Sequence, residues 1–166
     1  MSNLKKICIH WTAGSNKPNG VDLQHYHFII DGDGKVHKGK FTPEDNINCN
    51  DGKYAQHCGG GNTGAIGVSM CGMAGYNGKL NSTKYPLTAK QCEACFKLCA
   101  ELAKKYSIPI TKDNIYTHFE FGQAHPKTSS YGKIDIIFLY PYPEIVSCNV
   151  GDFIRNKIKW YLSKIG

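Results

Sequence analysis

The sequence predicts an α/β protein, a single domain with a central mixed β-sheet of five or six strands flanked by α-helices. Three observations predict it. Short apolar runs of strand length recur at residues 5–10, 26–30, 65–70 and 114–118. Two other stretches, 88–106 and 151–164, space their apolar residues at helical intervals. No internal repeat or low-complexity linker divides the chain, so strands and helices share one core.

Taken in order, Lys5-Lys-Ile-Cys-Ile-His10 reads as a short strand followed by a polar loop from Thr12 to Gly20. Tyr26-His-Phe-Ile-Ile30 and Lys35-Val-His-Lys-Gly-Lys40 flank Asp31-Gly-Asp-Gly34, a hairpin signal because glycine supplies the positive φ such turns require. Residues 41–63 lack periodicity, are rich in Asn, Asp and Gly, and read as loop. Ala65-Ile-Gly-Val-Ser-Met70 reads as a buried strand. Thr88 with Gln91 three residues later makes a capping box, and Glu101 to Lys105 is a favourable i,i+4 pair, so 88–106 reads as a helix. Pro109 separates it from a strand at Asn114-Ile-Tyr-Thr-His118. A long loop then leads to the apolar run 134–139, which Tyr140-Pro-Tyr-Pro143 stops. The chain closes with a helix from about Gly151 to Lys164, Asp152 near its N-terminus. Its stripe of Ile154, Ile158, Tyr161 and Ile165 docks on the core or meets a wall or membrane, docking being the commoner use; Arg155, Lys157, Lys159 and Lys164 lie mostly elsewhere. Residues 1–143 form the main body, and 144–166 an extension packing on the same domain.

Composition narrows the function. The 166 residues, 41% hydrophobic and 20% charged, with a mean hydropathy of −0.38, belong to a soluble globular class. No run approaches the ~20 apolar residues of a membrane span, and the apolar stretch after Lys5-Lys6 is too short for a signal core. Synthesis in the cytosol without a signal peptide is the expectation, with no transmembrane segment. The net charge of +7 is diffuse: +3 over residues 1–40, zero over 41–87, and +2 over each of 88–143 and 144–166. Nucleic-acid binders concentrate such an excess into a stripe or arm, so nucleic acid is not expected as a partner. A diffuse field suits attraction to a polyanionic surface. Eight cysteines without a secretion signal read as reduced thiols. Cys92-x-x-Cys95 has zinc spacing, but Cys92, Cys95, Cys99 and Leu102 form one helical apolar stripe, so core packing is favoured over metal.

Catalytic zinc needs three N, O or S ligands and one open position. His10 and His118 both stand at strand ends, where a sheet gives rigidity and the adjoining loop gives access. Spacing alone leaves each either a hydrogen-bonded histidine or a ligand, and no HExxH motif decides between them. His27, one step out of phase with Tyr26, reads as structural, and His25 as a surface residue.

At these residues the sequence resembles the zinc-dependent N-acetylmuramoyl-L-alanine amidases of the phage-lysozyme and peptidoglycan-recognition fold, and endolysin-type enzymes within it. The motifs are Ile7-Cys-Ile-His-Trp-Thr-Ala-Gly14, His25-Tyr-His-Phe-Ile-Ile30, His57 with Gly59-Gly-Gly-Asn-Thr-Gly-Ala-Ile-Gly-Val-Ser69, and Tyr116-Thr-His118 with Gly132-Lys-Ile-Asp135. They appear in the family's order across residues 5–143. The resemblance implies Zn2+ held by His10, His118 and Asp135, catalytic roles for Tyr26 and Lys133, and substrate contacts from His57 and Thr12. It departs from the family's pattern in two ways: the interval from His118 to Asp135 is long, and Ile136 stands where proline is common. His125 is the rival third ligand. The implied reaction is hydrolysis of the amide between N-acetylmuramic acid and L-alanine in peptidoglycan, by a monomeric lytic enzyme acting on the bacterial wall after release. A cytosolic amidase recycling anhydro-muropeptides and a non-catalytic peptidoglycan-binding module are the alternatives. The diffuse +7 then reads as affinity for the anionic wall.

Overall fold

The computed structural model describes residues 3–165. Strands β1 (Lys6–Trp11), β2 (Phe28–Ile30), β3 (Val36–Lys38), β4 (Ala65–Met70) and β5 (Ile115–Thr117) form one sheet in the order β3-β2-β4-β1-β5. Strand β1 lies parallel to both β4 and β5, β2 parallel to β4, and β2 antiparallel to β3, so the sheet is mixed, as expected. The β2–β3 hairpin turns at Gly34, whose φ of 87° is a value that glycine adopts without a Cβ penalty.

Alternation along the central strands gives the sheet two unlike faces. Ile7, Ile9 and Trp11 of β1 and Ile66, Val68 and Met70 of β4 point to one side. There they meet helix α2 (Ala89–Tyr106) and helix α4 (Ser147–Ile165). Cys8 and His10, and opposite them Gly67 and Ser69, point to the other side. This second face is covered by the 41–63 segment and by helix α3 (His118–Ala124), Phe121 packing with Cys8 and Cys58.

Helix α2 starts on its Thr88–Gln91 capping box and buries Cys92, Cys95, Phe96 and Cys99 in the apolar core. Helix α4 docks Ile154 and Ile158 on that core, with Tyr161 and Ile165 partly buried against it. Each fully buried isoleucine stabilises the fold by roughly 1.5–3 kcal/mol.

The structure corrects several expectations. Helix α4 begins at Ser147, so Asp152 sits in its second turn and pairs with Arg155 at 2.9 Å. Arg155 is buried, donating to the Ile115 carbonyl and to both oxygens of Glu120. The loops hold short helices: α1 (Gly20–His25) starts on an Asn19–Asp22 capping box, and α3 on a Thr117–Glu120 box. A 3-10 helix, Pro43–Ile47, interrupts the 41–63 segment. Tyr26 and His27 precede β2 instead of joining it, because Tyr26 caps α1. The apolar run 134–139 makes turns and adds no sixth strand, since Ile136 takes a left-handed φ of 66° that breaks extended geometry.

Candidate active site

The second face of the sheet brings three predicted residues together. His10, the penultimate residue of β1, is fully buried, and His118 opens α3 directly after β5. The parallel β1–β5 pairing sets these two elements side by side, although the residues are 108 apart in the chain. Asp135 arrives from the 125–146 loop, its backbone carbonyl accepting from the Phe119 N–H at 3.2 Å. The adjacent Ile136 is completely buried, and that packing holds a strained conformation costing on the order of 1–3 kcal/mol.

The donor atoms converge. His10 Nδ1 lies 3.1 Å from His118 Nδ1 and 2.8 Å from Asp135 Oδ2, which is 3.0 Å from His118 Nδ1. A tetrahedral metal with ligands at ~2.0–2.1 Å separates them by roughly 3.3 Å. The triangle is thus close to the size a zinc ion requires, and two imidazoles with one carboxylate are a zinc-compatible set. Burial pushes His10 down from its ordinary value. Burial also opposes the charged form of His118, but the Asp135 carboxylate and Cys58 outweigh it and raise this histidine to about 9. Asp135 is held well below the usual carboxylate range, because bonds from both histidines overcome its burial.

An open groove of about 620 Å³ lies above this triangle. Trp11, Thr12, Tyr26, His57, Lys133 and Ile134 are among the residues lining it, with His118 and Asp135 on its wall. Tyr26 stacks at a tilt on His10, ring centroids 5.1 Å apart, and burial with the nearby Asp135 charge keeps its phenol protonated far above neutrality. Lys133 is exposed on the rim. Thr12 Oγ1 accepts from the Gly14 and Gly72 N–H groups, which leaves its hydroxyl hydrogen for a groove partner. His57 reaches the groove, but Nδ1 faces His10 Nε2 at 3.0 Å and Nε2 faces the Ala65 carbonyl at 3.1 Å. Both ring nitrogens therefore have partners within the protein, while the ring itself lines the groove.

The rival residues lie elsewhere. His125 stacks on Phe121 at 4.1 Å and its Nδ1 bonds the Phe121 carbonyl, on the wall of a separate cavity. His27 is buried, bonding Asn46 through Nε2 and accepting the Gly67 N–H at Nδ1. His25 is partly exposed and bonds the Gln56 carbonyl on the wall of the same groove, away from the triangle of donor atoms. Cys92, Cys95 and Cys99 stay in the apolar core, where burial pushes the Cys92 thiol up and the hydrogen bond with Cys99, together with burial, pushes up that of Cys95. Cys8 comes within 4.8 Å of donor atoms of His10 and His57, a proximity the sequence did not suggest. That group is already spent: its two histidines bond each other, and burial keeps Cys8 a thiol. Sequence reasoning also missed Ser130, whose Oγ lies 3.0 Å from His118 Nε2; a serine in a polar loop gives no signal of that role.

Fold and site together define a type 2 amidase, in the architecture shared with peptidoglycan-recognition proteins. The chain belongs to the N-acetylmuramoyl-L-alanine amidase family Amidase_2, whose model matches residues 1–133, ending two residues before Asp135. Among solved structures, PlyL is 18% identical with a TM-score of 0.53, covering 94% of this chain and 84% of that one. The E. coli amidase AmiD, in complex with anhydro-N-acetylmuramic acid-L-Ala-D-gamma-Glu-L-Lys, is 17% identical at a TM-score of 0.52, covering 70% of this chain and 49% of its own. Bumblebee PGRP-SA is 14% identical at a TM-score of 0.50, covering 78% and 77%. No curated protein sequence matches the chain. Among the described residues, no helix is long and apolar enough to cross a membrane.

Proposed function

We propose that this chain is a zinc-dependent, lytic peptidoglycan amidase that cleaves the bond between the lactyl carbonyl of N-acetylmuramic acid and L-alanine. The observation that carries the reading is the 2.8–3.1 Å triangle of His10 Nδ1, His118 Nδ1 and Asp135 Oδ2 at the wall of an open groove, in a chain of the amidase family. These three residues hold the ion. When bound, zinc lowers the pKa of water toward ~7 and polarises the scissile carbonyl.

The chain supplies the rest. The Lys133 ammonium on the rim offers positive charge where the carbonyl oxygen becomes anionic. Tyr26, protonated at neutral pH, donates a hydrogen bond that orients the attacking water or steadies the oxyanion, and it does not act as the base. Thr12, also on the groove wall, positions the glycan–peptide junction. An open groove admits a polymer, and the +7 charge draws a single monomeric domain to the anionic wall, which it meets after release from the cytosol.

The test is His10→Ala. It should abolish release of muramoyl chains from sacculi and lower zinc below one per chain; full zinc and full activity would overturn the assignment. A recycling role, suggested by the muropeptide in the AmiD complex, predicts faster turnover on soluble anhydro-muropeptide than on sacculi. Sacculus binding without hydrolysis would place the chain among binding modules.

A further inference from the structure

Building on the zinc reading, we propose that His57 and Ser130 are positioning residues that fix the tautomers of His10 and His118, so that both rings present a bare Nδ1 to the ion.

The assignment follows from donors and acceptors. A backbone carbonyl only accepts, so His57, with Nε2 3.1 Å from the Ala65 oxygen, carries its hydrogen on Nε2. Its Nδ1 is then a lone pair. The opposite arrangement needs a doubly protonated His57, a buried cation between the rings of His10 and His27, which lie 5.1 and 5.7 Å away. His10 Nε2, 3.0 Å from His57 Nδ1, therefore donates, and His10 Nδ1 is left bare toward Asp135 and His118. The same logic runs through Ser130. Its hydroxyl donates to the Gly59 carbonyl at 2.7 Å, so its oxygen accepts from His118 Nε2 at 3.0 Å, and Nδ1 is the nitrogen that His118 gives up to the ion in exchange for the proton it shares with Asp135. Two imidazole Nδ1 atoms and a carboxylate oxygen thus face one another across 2.8–3.1 Å, an arrangement that a shared proton satisfies in the ion's absence and the ion satisfies when bound.

Both arms end on the same short segment, at His57 itself and at the Gly59 carbonyl. That segment is pinned by Asn62 Oδ1, which accepts from the His57 and Cys58 N–H groups at 3.0 and 2.8 Å. Asn46 ties it again, its amide nitrogen donating to the Ala55 and Asn62 carbonyls at 3.0 Å each. Beneath the ring, β4 has Gly67, where a Cβ would stand 2.6 Å from His57 Cγ. The glycine clears the floor on which the His57 ring lies. A segment without periodicity is therefore the frame that aims both histidines, in the way that hydrogen-bonded partners orient metal-ligating imidazoles generally.

Chelator competition for zinc and ring 15N spectra test this on the full chain. His57→Phe, which keeps the ring and loses the acceptor, should weaken zinc about 10- to 100-fold and release the His10 hydrogen from Nε2. His57→Asn, whose amide oxygen takes the place of Nδ1, should recover most of that affinity. Ser130→Ala should weaken zinc while altering the tautomer signal of His118 and not that of His10. Wild-type affinity in both His57→Phe and Ser130→Ala, with unchanged tautomers, overturns the proposal. If His57→Phe does not fold, the Asn and Ser130→Ala variants decide it. In zinc-free wild type, hydrogens on Nε2 of His10, His57 and His118 support the positioning roles even if zinc fails to bind, which would defeat the functional reading alone. A hydrogen on His57 Nδ1 defeats the positioning roles alone.

Discussion

On one face of the sheet Ile7, Ile9, Ile66 and Val68 pack against α2 and α4; on the other, Cys8, His10, Gly67 and Ser69 of the same two strands meet the 41–63 segment and α3. Both faces are equally buried and both contain cysteines. They differ in how their polar atoms are satisfied. The apolar face buries Cys92, Cys95 and Cys99 among isoleucines and Phe96, where thiols behave as small hydrophobes. The site face is a hydrogen-bonded frame of His27, Asn46, His57, Asn62 and Ser130 that leaves two imidazole Nδ1 atoms and a carboxylate oxygen pointing at one spot. Ligand residue types and burial are common to both faces, so neither makes a metal site. A frame that orients lone pairs beside a groove does.

Phe96→Ala on the apolar face is the strongest way to break this contrast. The side chain is completely buried, so its loss should cost about 3–5 kcal/mol of stability by denaturant unfolding, while the protein that remains folded binds zinc as before. A loss of zinc affinity at temperatures where the variant is folded would show that the faces are coupled. Acid should strike the other face. Burial holds His27 at about 4, against 6.5 for a free imidazole, because its Nδ1 must stay bare to accept the Gly67 N–H. The unfolded chain takes up this proton first as pH falls. Stability is therefore full above pH 6.5 and declines toward pH 4, by about 3 kcal/mol from this residue. Chemical denaturation at pH 7 and pH 4 measures it, and His27→Gln should flatten the slope; equal stability at the two pH values would contradict a frame of neutral imidazoles. The smallest effect belongs to Cys92→Ala, about 1 kcal/mol for a small cavity and no change in zinc per chain. Zinc lost from that variant would return Cys92 to the metal question.

Legibility in the sequence followed the range of the interactions. Strands β1 and β4 and helix α2 were readable because alternation, apolar spacing and the Thr88–Gln91 box are local. Helices α1 and α3 were legible in principle through the same kind of box, but at six and seven residues they carry too little periodicity to stand out from a polar loop. The run 134–139 misled because an apolar stretch does not reveal that one residue, Ile136, leaves extended geometry. His10, His118 and Asp135 came from ordered motifs. His57 was legible as a groove residue but its contact with His10, 47 residues away, was not, and Ser130 was invisible, since its partners Gly59 and His118 are 71 and 12 residues away.

By itself, then, the sequence determined which of the longer strands form, which of their residues share a face, and that two histidines stand at strand ends. Those features depend on periods of two and 3.6 residues and on caps three residues long. Only the tertiary structure decided which nitrogen of each histidine faces the triangle and that Asp135 closes it. Each of those facts rests on a hydrogen bond to an atom far away in the chain, and a donor or acceptor can orient a ring only once the fold has set it within about 3 Å.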